Sequence, residues 1–541
     1  MQQPFFKLPV GEPPGNESPL HPGPDMLASF FERLLARLSR DERSCLSRFV
    51  GSNFKRKVGT ICSGTESPTL ILRSLAKALE SSGIGRADFS TLFATEKDTR
   101  KRKFIMTMFP EIPHVFKDAT QIPTGFATDA RSPAKSRLVR IPAIENGWVF
   151  AGFPCQDVSR LNPKSDDAEN RNTIANASLR TGSVCKAILD FVQGCEDRKC
   201  GIEVMWLENV TALGYRRKGS STSNLDTLVA DLESKGFIVV TFHLSPQQFG
   251  SPQSRPRLWL TCFAPGVVAK YRMDREHVAN MHYHFMNLFA RQPVISADAF
   301  LLPESSKEVA ESYDSLGYRT AKRTVTKAAA KAHRKQRLQG QRQQPLKWVT
   351  QHMAAYDKQG KSWWKRSLVS AKLRPYFPGI QALTEREMES LELHQITLPE
   401  KRGRFIDLCH AVERTRPAEH GRVYCVTPKG RLFNTARCRL LLGMEKLRLQ
   451  CLIFPDDKAD ALRTFKQADL GDMAGNAFDG FCCSATIMAS MMVLAMQAMQ
   501  LPAPPRRTSP QGQPLQRCAS FNTAIKMVWG DTDDSDSELG G

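Results

Sequence analysis

The sequence predicts an α/β protein with a doubly wound, mostly parallel sheet and a smaller, irregular second domain. Short apolar runs of strand length recur between about residues 57 and 265, and helical stretches separate several of them. After Pro265 this alternation stops and a strongly basic stretch appears, which predicts the second domain.

Length and charge narrow the class of protein. The chain has 541 residues, enough for two or three domains, and a formal net charge of +21. This charge favours a polyanionic partner such as nucleic acid, with a membrane surface as the weaker alternative. No stretch approaches the roughly 18 consecutive apolar residues of a spanning helix, and the N-terminus lacks a secretory pattern. We therefore expect a soluble intracellular protein with no membrane partner.

The 14 cysteines are scattered, which fits a reducing compartment better than a disulfide framework. Cys195 and Cys200 have no second Cys/His pair at ligand spacing nearby, so no metal site is predicted.

The N-terminal elements follow in order. Residues 1–25 are rich in Pro, Gly and Asn without an apolar period, and we expect a disordered leader. From Met26, apolar residues recur at helical spacing and predict an amphipathic helix. Lys57–Gly64 predicts a strand that ends in a turn, and Ser67-Pro68 opens a helix. These elements form the first half of a βαβ unit.

Further apolar runs continue this pattern through residue 265. Six more strands are predicted, at Leu92–Thr95, His114–Phe116, Trp148–Phe150, Glu203–Leu207, Phe237–Phe242 and Leu258–Phe263. Helical spacing predicts helices at Val184–Val192 and Leu225–Ser234. We therefore assign residues 26–265 to the first part of the sheet domain.

Residues 266–425 are predicted to form the separate, less regular domain. Arg319–Lys347 contains ten Lys/Arg and no Asp/Glu, with alanines that would support a helix. Such a run can be merely a solvated face. Trp348 and Lys361–Arg366, however, interleave aromatic and basic residues as nucleic-acid surfaces do.

Apolar periodicity returns near the C-terminus. It appears in Arg437–Phe454 and again in Phe478–Met496, so residues 426–500 are expected to rejoin the sheet domain. Residues 501–541 are Pro-rich and end in an acidic run, which predicts a disordered acidic tail.

Three short motifs place reactive side chains at strand ends. Cys155 follows a predicted strand in Gly-Phe-Pro-Cys-Gln, at the sheet edge where open α/β folds hold ligands. Taken alone, Cys155 could equally be a small buried hydrophobe. Glu208 directly follows another apolar strand, and Arg255 and Arg257 directly precede a third.

In this order and placement, the motifs resemble the cytosine-C5 DNA methyltransferase family. The resemblance runs from about residue 58 to 264 and resumes from about 431 to 496. Glu445–Gln450 resembles the penultimate family motif and Leu470–Ala477 the last. The resemblance implies a Rossmann-like methyltransferase sheet and a smaller target-recognition domain at 266–425. It also implies S-adenosylmethionine as methyl donor and duplex DNA with the target cytosine flipped out.

The resemblance also assigns catalytic roles. Cytosine C5 is a poor nucleophile, so Cys155 would add to C6 as a thiolate and push electron density to C5. Glu208 would supply the proton that the ring then needs at N3, although it could be an ordinary capping carboxylate. Arg255 would hold the base and its developing negative charge, and Arg257 would brace the loop. Residues 156–180 are expected to close over the site.

A second set of residues is expected to bind S-adenosylmethionine. Ser63, Gly64 and Thr65 match the first family motif, whose small residues let the backbone approach the methionine part. This copy departs from the pattern, because Thr60 stands where an acidic residue is common and Thr65-Glu66-Ser67 replaces a more glycine-rich turn.

Downstream positions complete the expected cofactor site. Glu96, with Lys97 beside it, matches the carboxylate that binds ribose hydroxyls. Asp118 matches the contact to the adenine amine, and Pro154 fixes the loop. Asn476 and Ala477 would return to the same pocket; Asp118 and Asn476 could instead be ordinary turn residues.

The leading hypothesis is a DNA cytosine-C5 methyltransferase. A tRNA cytosine-C5 methyltransferase is an alternative, because charge does not separate the two polymers. A catalytically inactive nucleic-acid-binding regulator with the same fold is the other. Basic clusters, with Arg334–Arg337 as an import signal, suggest the nucleus. The sequence context of the target and the oligomeric state stay open.

Overall fold

The computed structural model describes ten ranges of the chain: residues 6–8, 17–132, 137–160, 162–198, 201–216, 220–313, 347–362, 383–394, 403–414 and 417–500. Several predicted features lie largely or wholly outside them, namely Arg319–Lys347, Lys361–Arg366, Cys200 and the tail 501–541.

The strands, numbered in chain order, are β1 (Phe6–Lys7), β2 (Phe54–Ile61), β3 (Ala87–Thr95), β4 (His114–Phe116), β5 (Phe126–Thr128), β6 (Leu138–Arg140), β7 (Gly147–Ala151), β8 (Ile202–Val210), β9 (Ile238–Leu244), β10 (Gln253–Ser254), β11 (Arg257–Phe263), β12 (Phe405–Asp407), β13 (Val423–Tyr424), β14 (Leu432–Asn434) and β15 (Arg439–Leu440).

The helices are α1 (Met26–Arg37), α2 (Arg40–Val50), α3 (Ser67–Ser81), α4 (Thr99–Met108), α5 (Ala168–Arg171), α6 (Leu179–Asp197), α7 (Asn224–Ser234), α8 (Pro265–Tyr271), α9 (Arg275–Phe289), α10 (Lys347–Lys358), α11 (Glu385–Leu393), α12 (Gly443–Leu449), α13 (Ala459–Arg463), α14 (Gln467–Asn476) and α15 (Gly480–Gln500).

Within the described residues, eight strands form the main sheet, in the order β1-β9-β11-β8-β7-β2-β3-β4. Neighbours are parallel except at β11, which runs antiparallel to both β8 and β9. Each of the seven strands predicted between residues 57 and 263 falls on a strand of this sheet. The predicted doubly wound, mostly parallel α/β fold is confirmed.

Strand β7 shows why these runs are apolar throughout. Val149 and Ala151 pack into the core cluster shared with α6 and α7. Side chains alternate between the faces of a strand, so Phe150 lies on the other face, stacked on Trp206 with ring centroids 4.6 Å apart. Trp206 in turn donates its indole N–H to Ser490 of α15. Both faces are covered, as parallel sheets require.

The expectation of a leader disordered throughout residues 1–25 is wrong at two places. Phe6 and Lys7 form β1, which pairs in parallel with β9 at the sheet edge. Glu17 accepts a hydrogen bond from Arg37 of α1 at 2.7 Å. The edge strand β9 pairs with Phe6 and Lys7, and Arg37 binds Glu17. These partners are distant in sequence, so the local composition does not reveal them.

The boundary at residue 265 also needs correction, because α9 belongs with the sheet. Its apolar face is buried, and His282 lies against the Phe242 ring of β9 at 5.1 Å. His282 Nε2 is also 3.2 Å from the Ser490 hydroxyl of α15. The sheet domain therefore extends to about residue 289.

The region that follows has small cores of its own. Met388 and Leu391 of α11 pack with Ile406 and Phe433, while Tyr356 of α10 packs in a separate cluster. Its three-stranded sheet, β12-β14-β15, reaches residue 440, beyond the predicted boundary at 425. The two-stranded parallel sheet β10-β13 ties this region to the segment that carries Arg255.

One segment, Gln467–Met499, is long and apolar enough to cross a membrane, with a mean hydropathy of 1.6 over its most apolar window. The expectation that no stretch reaches this length was therefore too strong. In the structure 89% of that window is buried, as in the core helix of a folded domain.

Candidate active site

A cavity opens where β2, β3, β7 and β8 end. Its wall gathers ten of the thirteen predicted site residues, which are Gly64, Glu96, Lys97, Asp118, Pro154, Cys155, Glu208, Arg255, Arg257 and Asn476. The other three, Ser63, Thr65 and Ala477, do not line it. Ser63 instead accepts a hydrogen bond from the Thr95 N–H at 3.0 Å and so ties the turn to β3.

The Cys155 loop is held by its own turn and by β8. The Cys155 carbonyl accepts hydrogen bonds from the N–H groups of Val158 and Ser159, at 3.2 and 2.9 Å. Asn209, only 2% exposed, donates its side-chain amide to the Phe153 carbonyl at 3.1 Å. Asn209 was not among the predicted site residues. The one indication in the sequence that it belongs to the site was its position beside Glu208 at the end of a buried strand.

Glu208 and Arg257 form an ion pair at 3.1 Å, with both side chains largely buried. The strand register explains this contact. Arg257 of β11 stands opposite Val210 of β8, so Glu208 is its diagonal neighbour on the same face.

Arg255 lies deeper and has different partners. It is 3% exposed, and its guanidinium donates to the carbonyls of Val426, Gly475 and Ala477 at 2.8, 3.1 and 3.0 Å. These contacts join the loop after β13 to the end of α14. They favour the reverse of the expected division of roles: Arg255 braces the backbone, and Arg257 faces the acid.

The electrostatic surroundings of Cys155 favour the thiol in this structure. Burial raises the pKa of the Cys155 thiol, and the Glu208 carboxylate raises it further, while Arg257 and Arg255 oppose the shift. A ligand that engages Glu208 would therefore favour the thiolate.

Two carboxylates, Glu96 and Asp118, also line the cavity. Both Glu96 oxygens accept backbone N–H groups, from Gly64 at 3.0 Å and from Asp98 at 2.8 Å, which leaves a second lone pair on each. Asp118 lies 3.5 Å from the Lys97 ammonium group. Gly64 has φ +56°, a left-handed conformation that favours glycine, and a Cβ there would lie 3.4 Å from the Asn476 carbonyl oxygen.

Glu66 explains the unusual first motif. Its carboxylate is fully buried and accepts hydrogen bonds from the hydroxyls of Thr60 and Thr69, at 2.7 and 2.8 Å. Burial raises the pKa of Glu66 to about 7. In this family an acidic residue is common at the position of Thr60. Here the carboxylate of Glu66, in the turn, lies beside Thr60 at the end of β2.

Other cavity residues were missed by the motifs. Arg180, Ser183 and Val184, on the first turns of α6, line the wall, as do Cys62 and Lys101. Arg180 is the last residue of the loop expected to close over the site, and this position was the one indication in the sequence that it lies near the cavity.

A sequence model of the C-5 cytosine-specific DNA methylases matches residues 75–478 of the chain. The chain belongs to this family. The order of its motifs and the grouping of Cys155, Glu208 and Arg257 at one sheet edge agree with that membership.

Curated relatives of this cytosine-C5 methylase chain are each matched over only a small part of their length. It is 27% identical over 491 residues to the DNA (cytosine-5-)-methyltransferase DMT5 of Verticillium dahliae, covering 84% of this chain and 20% of that protein. It is 34% identical over 112 residues to a DNA (cytosine-5)-methyltransferase of Dictyostelium discoideum, covering 21% and 25% of the two chains. Only about a fifth to a quarter of either relative is thus matched.

Among solved structures, the S. pombe Dnmt2 methyltransferase aligns over 83% of this chain and 100% of its own. Its sequence identity is 11% and the TM-score is 0.39.

Proposed function

We propose that this cytosine-C5 methylase domain methylates C5 of cytosine in DNA with S-adenosylmethionine. The observation that carries the proposal is the cavity in which Cys155 and the Glu208–Arg257 pair share a wall with Glu96 and Asp118. A thiol, a proton donor and two cofactor-binding carboxylates are the groups that this reaction needs at one point.

Cys155 is the proposed nucleophile. Its thiolate forms a bond to C6 of the cytosine, and the electron pair of the C5–C6 double bond becomes available at C5. After methylation, water accepts the proton from C5 and N3 returns its proton to Glu208, which restores the double bond and expels the thiolate. The tight turn after Cys155 and the Asn209 contact keep the sulfur at the cavity wall throughout.

Glu208 and Arg257 act on the other side of the ring. Glu208 takes up the proton that the Cys155 thiol loses and donates it toward N3 as the thiolate adds, so that less negative charge builds up on the base. Arg257 keeps Glu208 in place and stabilises the charge that develops on the exocyclic oxygen. Arg255 supports this arrangement from behind through three backbone carbonyls.

The cofactor end fits S-adenosylmethionine, which supplies an electrophilic methyl group when bound. Glu96 has free lone pairs for the two ribose hydroxyls, and Asp118 can accept from the adenine amine. Gly64 and Asn476 face each other closely, which suits the narrow methionine part. Lys97 lies beside Asp118 at the cavity wall.

The target base must leave the duplex to reach Cys155, since C5 and C6 are inaccessible in a stacked helix. We infer that the region after α9, with its basic segment, contacts the DNA and selects the target. We also infer a nuclear location from the basic cluster Arg334–Arg337.

One assay tests the proposal. Purified protein and labelled S-adenosylmethionine are offered duplex DNA and total tRNA. We expect label in DNA, and its loss with Cys155→Ser or Glu208→Gln but not with Cys438→Ser, a half-buried cysteine that does not line the cavity. Label in tRNA alone would refute the DNA assignment. Label in neither polymer would favour a binding protein with the same fold.

A further inference from the structure

A cation–π contact joins the loop of the proposed nucleophile to the segment of the proposed acid. The guanidinium carbon of Arg160 lies 4.2 Å from the centroid of the Tyr215 ring. Arg160 comes five residues after Cys155, and Tyr215 comes seven residues after Glu208. Neither side chain lines the cavity, so the contact lies outside the reacting groups.

Tyr215 is held by its own turn. It follows the short 3-10 turn Thr211–Gly214, and its N–H donates to the Ala212 carbonyl at 3.2 Å. Its hydroxyl lies 3.3 Å from that of Thr211. The backbone turn, which does not depend on the hydroxyl, therefore holds the ring on the segment that leaves β8.

The Cys155 loop is anchored on the other side of the cavity. Val158 is buried in the core cluster shared with α6. The Asp157 carboxylate accepts the Thr181 N–H at 2.7 Å, at the start of α6. Arg160 extends from this turn to Tyr215, so the loop is attached on its α6 side and on its β8 side.

We propose that Arg160 and Tyr215 form a positioning pair that sets the separation of the Cys155 sulfur and the Glu208 carboxyl group. The inference rests on the proposed function of those two groups. Asn209 joins the same two segments through the Phe153 carbonyl. Asn209 holds the start of the loop to β8, and the Arg160 contact holds the part of the loop beyond the Asp157 and Val158 anchors to the segment that follows β8.

The pair should act on the chemical step and not on cofactor binding. Neither residue lines the cavity that Glu96, Asp118 and Gly64 line, so the affinity for S-adenosylhomocysteine should not change. Loss of the pair lowers the fraction of molecules in which thiol and acid are correctly spaced, which lowers kcat more than it changes KM for DNA.

A double-mutant cycle tests the coupling. In single-turnover methyl transfer, Arg160→Ala and Tyr215→Ala should each slow the reaction about fivefold, the size of an exposed cation–π contact. The double variant should be no slower than either single one, and Tyr215→Phe should keep the wild-type rate because the ring remains. Additive losses, or faster transfer in either variant, would overturn the proposal.

Hydrogen exchange of the free protein gives a readout that needs no activity. Amides of residues 156–160 should exchange faster in Arg160→Ala and in Tyr215→Ala, to the same extent in both. Their exchange rates should be unchanged in Tyr215→Phe. If the wild type methylates no substrate but this pattern holds, the proposed function fails and the pair stands. If the wild type is active and loop exchange is unaltered in both alanine variants, the pair is wrong and the function stands.

A matched control uses another exposed arginine on an aromatic ring. Arg73 lies over Phe109 at 5.4 Å, and neither residue lines the cavity. Arg73→Ala should leave both the transfer rate and the loop exchange unchanged. If Arg160→Ala weakens DNA binding more at low than at high salt while Tyr215→Ala does not, Arg160 is a phosphate contact and the pair is refuted.

Discussion

Arg255 and Arg257 are separated by one proline, yet the fold gives them different environments. Arg255 has its guanidinium among backbone carbonyls and 3% exposure, whereas Arg257 faces Glu208 at the cavity wall. In an extended segment successive side chains point to opposite sides, so residues i and i+2 normally point to the same side. The difference arises because Arg255 precedes β11 and Arg257 is its first residue.

Lysine substitutions should separate these two roles. Arg255→Lys should lower the free energy of unfolding by about 2–4 kcal/mol, since buried carbonyls lose charged donors. Arg257→Lys should change stability by less than about 1 kcal/mol but slow methyl transfer about 100-fold, because an ammonium group lacks the planar fork. Urea denaturation and single-turnover kinetics measure both quantities. Normal stability with lost turnover in Arg255→Lys would restore the original assignment.

Glu66 should make stability depend on pH. Burial raises its pKa to about 7 in the folded state, from an ordinary value of 4.5, so folding favours the protonated form. The contribution is fully present below about pH 4.5 and is lost as pH rises through about 7, by about 3 kcal/mol. Glu66→Gln should therefore be relatively more stable above pH 7 than below pH 5.

The measurement is the difference in unfolding free energy between Glu66→Gln and the wild type at several pH values. This difference cancels other titrating groups, including Asp479, whose pKa burial also raises to about 7. A difference that does not vary between pH 4 and 8 would show that Glu66 keeps an ordinary pKa.

At the scale of elements, the site depends on how α14 meets the loop after β13. A Cβ on Gly475 would lie 2.0 Å from the Pro428 nitrogen, so the helix end and this loop touch through backbone atoms. The same helix end carries Asn476 to the cavity. Glycine is needed at position 475 because of this approach and not for its backbone angles.

Gly475→Ala should therefore destabilise the protein by about 2–4 kcal/mol through overpacking and weaken cofactor binding. Gly471→Ala is the matched control in the same helix, because its Cβ would lie 3.4 Å from the Lys446 ammonium nitrogen and 3.9 Å from the Gly443 Cα, which are ordinary contact distances. That change should be neutral or stabilise by up to about 1 kcal/mol through helix propensity. Denaturation and calorimetry of S-adenosylhomocysteine binding compare the two. Equal effects would contradict the backbone contact.

At the scale of the whole molecule, charge and topology act together. The formal charge of +21 favours attraction to polyanions in general, while the proposed function assigns the placement of the DNA to the cavity and the region after α9. General attraction depends on salt, whereas the spacing of Cys155 and Glu208 does not. Binding and chemistry should thus respond to different changes.

Replacing Arg334, Lys335 and Arg337 by glutamine should flatten the salt dependence of DNA binding. Three lost phosphate contacts would reduce the slope of log K against log salt by up to about 2.7. The control replaces three exposed lysines that pair with acidic neighbours, Lys77, Lys186 and Lys307, and should leave the slope nearly unchanged. An unaltered slope in the first variant would mean that the basic run is only a solvated face.

Much of the fold and the site was predictable because it is encoded locally. Strands such as Trp148–Phe150 are short apolar runs, which can be recognised from the local sequence alone. Cys155, Glu208 and Glu96 follow such runs directly, so strand order alone brings them to one edge. The match of residues 75–478 to the family model agrees with these motifs.

Contacts between distant segments were not predictable. The strand at Phe6, the attachment of α9 to α15, the roles of Arg255 and Arg257 and the link from Arg160 to Tyr215 each depend on residues far apart in sequence. Local pattern thus determines which elements form and which groups stand at their ends. Tertiary packing decides which of those groups face each other, because hydrogen bonds and ion pairs act over a few ångströms in space, whatever the separation along the chain.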